Sequence, residues 1–178
     1  CWCPLKHFIM ALVQKPDTEV IEKTDTNTTE AQIVKHPLQH TWTLWYFEND
    51  LIDFNTVEDF WCLFNHIKPA GELKNSSDYS LFKKGIRPMW EDDANKNGGR
   101  WLINIDKPTR DEINLCWVEL VLCMIGEAFD EASDEICGAV VSIRAKAAKL
   151  GLWTGNANNE KAVNILGELR ISFLEIIF

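Results

Sequence analysis

Strands and helices follow one another along most of this chain, which predicts an α+β fold with helices packed on one face of an antiparallel sheet. Three observations carry that reading. Thr41 to Phe47 alternates aromatic and other residues at period two, as a half-buried strand does. Val57, Phe60, Trp61 and Phe64 recur at helical spacing as a one-sided apolar stripe. Ile113, Cys116, Trp117, Leu120, Val121 and Met124 cover a broad face of a longer helix, which needs a large surface to pack on.

In chain order, residues 1 to about 35 read as a disordered tail. QKPDTEVIEKTDTNTTEAQ is rich in Thr, Asp and Glu and holds too few apolar residues to offset ordering entropy. Residues 1–9 precede Met10 and read as upstream translation or a gene-model artefact. The strand at Thr41 follows. Thr56 then caps the first helix, with Asp59 as its capping-box partner, and that helix ends near His66. Strand-like segments recur around Pro88 to Glu91 and from Arg100 to Ile105. The second helix is expected from Asp111 to about Phe129. Two further strands are expected over Gly138 to Lys146 and Leu150 to Trp153. Asn158 or Asn159 caps a third helix through about Arg170.

Composition narrows the function. The 178 residues carry 46% hydrophobic and 25% charged side chains, ordinary for a globular chain with room for one core and a tail. A net charge of −9 argues against general affinity for nucleic acid, so any RNA contact must come from a local basic cluster. The six cysteines lack paired zinc spacing, and no metal or cofactor is implied. A reduced, intracellular protein is the simplest account. No stretch nears the roughly 20 apolar residues of a membrane span, and FIMALV is too short for a secretory core. Enzymatic chemistry finds no footing. Asp92 and Asp93 are adjacent rather than opposed, and the four histidines have no nucleophile partner.

The stretch MWEDDANKNGGRW, Met89 to Trp101, carries the most chemistry. Glu91 can accept from the two adjacent donors on a guanine edge while the Trp90 indole stacks on the ring. A methylated, cationic purine would add cation–π attraction to that stack. Asn97-Gly98-Gly99 suits a hairpin turn with positive φ, returning Arg100 towards a phosphate. As bare pattern, the pair is more often an edge tryptophan and a solvated acid.

These residues do not stand alone. HPL (His36 to Leu38), WTLWYFEND, TVEDFW, DYSLFKKGIRPMWED, GGRW, LCMIGE and CGAVVSIRAK together resemble the eukaryotic translation initiation factor 4E family, from about His36 to about Gly167. The resemblance implies a domain over residues 36–178. It also implies a curved antiparallel sheet with three helices on its convex face, and a protein that binds the 7-methylguanosine cap of messenger RNA in the cytoplasm. On it, Trp90 is one wall of an aromatic sandwich and Glu91 the reader of guanine. Arg100, Arg144 and Lys149 hold the cap phosphates, and Trp153 packs near the methyl group. It further implies that His36, Pro37, Leu38, Val57, Trp61, Val118, Glu119 and Gly126 grip a helix of the initiation factor 4G scaffold or of 4E-binding repressor proteins. Without the resemblance, RAKAAK reads as a solvated strand end and Trp61 as a core residue.

The chain departs from the family's pattern twice. Between Asp50 and Phe54 the family carries a longer loop with the second tryptophan of the sandwich, and here no tryptophan lies between Trp45 and Trp61. After Leu169 the family adds strands and a basic loop, whereas this chain ends ISFLEIIF. A shortened variant that binds partner helices but holds cap weakly is therefore the alternative expectation.

Overall fold

A computed structural model describes residues 35–46 and 50–167. The expected tail, apart from Lys35, and the ISFLEIIF end lie outside the described residues. Six strands form one antiparallel sheet: β1 (Pro37–Tyr46), β2 (Asp50–Thr56), β3 (Asp78–Lys83), β4 (Gly99–Asp106), β5 (Ile136–Arg144) and β6 (Ala147–Thr154). Their order is β2-β1-β3-β5-β6-β4, so β2 and β4 are the edges and the sheet does not close. Helices α1 (Val57–His66) and α2 (Arg110–Ile125) and a helical run over 160–167, here α3, complete the described elements with two short 3-10 turns.

Period-two alternation sorts each strand's side chains between two faces. Trp42 and Leu44 of β1, Tyr79 and Leu81 of β3, Ala139 and Val141 of β5 and Leu150 and Leu152 of β6 join one core. Phe60 of α1, the apolar face of α2, and Ala162 and Leu166 of α3 join the same core, so all three helices lie on one side. Phe82, Cys137 and Trp153 form a small second cluster, and the β-strand pleat puts Phe82 and Trp153 on the opposite face. Burial pushes the Cys116 and Cys137 thiols up to about 11, which suits small buried hydrophobes rather than reactive groups.

The helix ends follow local chemistry. The Thr56 hydroxyl accepts from the Asp59 N–H at 3.2 Å and donates to the Asp59 carboxylate at 2.8 Å. At α2, Thr109 and Glu112 form a full capping box, which starts that helix one residue before the expected Asp111. It stops at Ile125, four residues short of the expected end. The Ala128 N–H bonds back to the Cys123 carbonyl at 2.9 Å and the Glu127 N–H to the Met124 carbonyl at 3.3 Å. With Glu127 at φ 54, this is a Schellman cap whose left-handed residue is a glutamate, not the neighbouring Gly126. Asn159 rather than Asn158 caps α3, its side chain accepting from the Ala162 N–H at 3.2 Å.

Two expectations fail here. Pro88 to Glu91 is a turn and not a strand. Nor do Asn97-Gly98-Gly99 make a hairpin turn, because β4 pairs with β6 and no positive φ occurs at these three residues. Gly98 is small for another reason. A Cβ there would lie 1.6 Å from the Thr154 carbonyl oxygen, so close backbone approach demands glycine.

Candidate functional site

The face opposite the helices gathers Arg100, Arg144, Lys149 and Trp153, four of the six residues that the sequence singles out for a base and its phosphates. Arg100 on β4 pairs directly across from Trp153 on β6, and directly opposed residues share a face. Lys149 sits four residues back along β6, about 13 Å at strand rise. It lies opposite Ser142 of β5, and Arg144 is two residues beyond Ser142, again on that face. Gly151 keeps the floor low between them: a Cβ would come within 3.1 Å of the Arg100 side chain.

Trp90 closes over this row from the loop before β4. Its ring centroid lies 4.0 Å from that of Trp153 at 37°, while the Arg100 guanidinium carbon lies 5.7 Å from the Trp90 centroid and 5.3 Å from that of Trp153. A cation held against two indoles is attracted by both ring quadrupoles. Trp153 is buried, and Trp90 is 43% exposed. A planar base entering between these two rings requires them to part.

The loop that presents Trp90 and Glu91 is built by two side chains the sequence reading did not assign. Asn95 is fully buried and donates its amide to the Arg87 carbonyl at 2.8 Å and the Met89 carbonyl at 2.9 Å. Asp92 accepts from the Arg87 N–H and the Ala94 N–H, each at 3.1 Å, and lies 3.5 Å from the Arg87 guanidinium. Burial of the Asp92 carboxyl raises its pKa, but the Arg87 and Ala94 bonds outweigh that and hold it below its usual range. The bond from Asp92 to the N–H two residues on is an Asx turn, the signal that Asp92-Asp93-Ala94-Asn95 offered. Glu91 itself is exposed, and among the described residues no hydrogen bond or ion pair engages its carboxylate. Lys149 is likewise exposed and unpaired among them, whereas Arg144 bonds to Asp78 at 3.0 Å.

The missing wall has a structural counterpart. Tyr46 pairs with Asp50, so three residues join β1 to β2, and none is a tryptophan. Apart from Trp153, no aromatic ring among the described residues stacks with Trp90.

Across the molecule lie the residues expected to grip a partner. The His36 N–H donates to Glu58 at 2.8 Å and the His36 Nδ1 lies 2.6 Å from the other Glu58 oxygen. The Val57 N–H donates to the His36 carbonyl at 2.9 Å, which fastens His36-Pro37 to the start of α1. Trp61 and Leu38 are partly buried against the core, as is Val118 of α2. Trp61 meets Phe60 edge to face at 4.9 Å. Glu119 follows Val118 on α2, and Gly126 caps that helix's end.

Comparison with known proteins decides the family. The family model for Eukaryotic initiation factor 4E matches residues 37–177. The chain belongs to the eukaryotic initiation factor 4E family. Its members are translation initiation factors, not enzymes. The chain is 53% identical over 146 residues to the Drosophila melanogaster eukaryotic translation initiation factor 4E1, an alignment covering 76% of this chain and 56% of that protein. To the Homo sapiens eukaryotic translation initiation factor 4E it is 47% identical over 169 residues, 86% of this chain and 78% of that one. Among solved members, C. elegans eIF4E-3 in complex with the 4E-binding protein Mextli aligns with a TM-score of 0.75 at 44% identity, over 80% of this chain and 88% of that chain. Ascaris suum eIF4E-3 in complex with an m2,2,7G cap aligns with a TM-score of 0.74 at 43% identity, over 80% and 86%. No helix among the described residues of this family member is long and apolar enough to cross a membrane.

Proposed function

We propose that this chain binds the 7-methylguanosine cap of messenger RNA and brings it to translation initiation through a partner helix on its other face. The observation that carries the reading is the shared sheet face of Trp90, Trp153 and Arg100, with the Glu91 carboxylate free beside them. An indole stacks on the base, and the carboxylate accepts from the guanine N1–H and N2–H. Arg100, Lys149 and Arg144 follow in the direction a triphosphate extends, and guanidinium and ammonium groups are what phosphate oxygens call for. Solved neighbours with caps bound support this assignment.

On the helical side, His36, Pro37, Leu38, Val57, Trp61, Val118, Glu119 and Gly126 would seat an amphipathic helix. It would come from the initiation factor 4G scaffold or a 4E-binding repressor. Half-buried Trp61 supplies the apolar anchor and Glu119 a polar rim. A solved neighbour in complex with a 4E-binding protein supports this partner class. Both acts belong to the cytoplasm.

The deciding experiment is a fluorescence titration with 7-methylguanosine triphosphate and with unmethylated guanosine triphosphate. Preference for the methylated compound, lost in Glu91→Ala, is the expected result, since unpaired base donors cost about 1–3 kcal/mol. Equal binding by parent and variant overturns it. The short β1–β2 connection favours a second reading, in which partner helices bind normally and cap binds weakly. Scaffold-peptide binding with no measurable cap binding would select that reading.

A further inference from the structure

Leu115 of α2 is 50% exposed, the most exposed large apolar side chain among the described residues. The core does not need it. Ile113, Cys116, Trp117, Leu120, Val121 and Met124 fill the inward face of α2, and Leu115 takes no part in the cluster they join. At about 3.6 residues per turn, Leu115 falls one turn before Val118 and Glu119 and two turns before Leu122. Gly126 ends the same stripe a turn further on. Exposure falls along it: Leu115 is exposed, Val118 and Glu119 are half-buried, and Leu122 is buried. Val118, Glu119 and Gly126 belong to the partner face proposed above. Leu115 therefore continues that face by one turn and is not an isolated surface leucine.

Acids flank Leu115 on that stripe. Asp111 lies one turn before it and Glu119 one turn after it, each about 6 Å along the axis at about 1.5 Å per residue. Asp111 is exposed, and among the described residues no hydrogen bond or ion pair engages its carboxylate. A helix that covers Leu115 needs an apolar side chain there and a Lys or Arg about a turn to either side. A second copy of this chain does not meet that need, because its own Asp111 and Glu119 would face the same acids. We infer that Leu115 is a specificity-determining anchor for helices that run one turn past Val118 and Glu119 and carry a leucine between basic residues. Helices without that turn still bind the rest of the face, so Leu115 ranks partners and does not merely admit them. The inference rests on the partner-face reading above.

The test titrates the full chain with three synthetic peptides over a range of salt. One is a short scaffold peptide, and the other two extend it by two helical turns, at one end or the other, with a leucine between lysines. The parent should bind one extended peptide roughly tenfold more tightly than the short one, as burial of one more leucine provides. Leu115→Gln should lose that gain, Leu115→Met should keep it, and in Asp111→Asn the gain should depend less on salt. Both side chains are exposed, so the variants should melt as the parent does. If neither extension gains in the parent, or if Leu115→Gln keeps the gain, the inference falls and the partner face stands. An unchanged salt dependence in Asp111→Asn overturns the basic character assigned to the partner. A parent dimer in sedimentation that Leu115→Gln dissolves would make a second copy the occupant and overturn the inference. Failure of all three peptides to bind the parent overturns the inference and the partner-face reading together.

Discussion

Asn95 makes no contact that recognition requires, yet Trp90 and Glu91 stand where they do because of it. Its amide satisfies two carbonyls of their loop from a fully buried position. Asn95→Ala takes one of two donors from each carbonyl, which keep the Met89 N–H at 2.7 Å and the Asp92 N–H at 3.4 Å, so each lost bond costs about 0.5–1.5 kcal/mol. Thermal denaturation should therefore show a destabilised chain, and cap affinity should fall with it, although nothing that touches the base has changed. Unaltered cap affinity would mean that Asp92 alone holds the loop. Trp90, Glu91 and the sheet cations stood out in the sequence only through the family resemblance, and the structure brings Trp90, Trp153 and Arg100 together. Asn95 did not, because an asparagine after two aspartates looks like any solvated turn until its burial is known. Gly98 was legible as a special position for the wrong reason: steric closeness to Thr154, not backbone handedness, selects it.

Among the elements, β1, α1, α2 and β4 to β6 were readable in the sequence, and β2 and β3 were not. Asp50, Asp53 and Asn55 are poor strand formers, and pairing with β1 overrides their preference. That same pairing brings Tyr46 opposite Asp50, and among the described residues Trp153 is the one ring that stacks with Trp90. One aromatic stack is worth about 1–3 kcal/mol. Inserting a tryptophan-bearing loop after Asp50 should therefore raise cap affinity by roughly ten- to a hundredfold, at 1.4 kcal/mol per tenfold. Equal titrations of the two chains would show that Trp153 already serves as the second ring. On the helical side, Trp61→Ala should weaken binding of a scaffold peptide by about 2 kcal/mol or more. Because Trp61 also packs on the core, some loss of thermal stability should accompany it, and undiminished peptide binding would mark it as core alone. The clasp between His36 and α1 has its own pH dependence. Burial raises the Glu58 pKa, but the His36 bonds overcome this and hold it below its ordinary value of 4.5. The clasp's stabilisation is complete above pH 4.5 and fades as pH falls through the lower folded value. Acid titration of peptide binding should show that loss, and Glu58→Gln should lack it.

At the scale of the whole molecule, opposite faces of one sheet would serve opposite chemistries, with cations and indoles on one and helices on the other. Against a net charge of −9, the cations attract phosphate only at short range, so cap affinity should fall as salt rises. Lys149→Ala should flatten that dependence, and an unchanged slope would exclude Lys149 from the phosphate path. The strand order carries a further consequence, for the growing chain. β3 is complete at Lys83, but the β5 strand that covers its edge ends only at Arg144. Nascent chains lengthen at about 5–20 residues per second, so that edge waits several seconds for its neighbour. If the first three strands pair before β5 emerges, β3 would present an unpaired hydrogen-bonding flank to any extended peptide nearby. A chaperone that shields bare strand edges is the helper this topology calls for, and the wait ends when β5 docks beside β3.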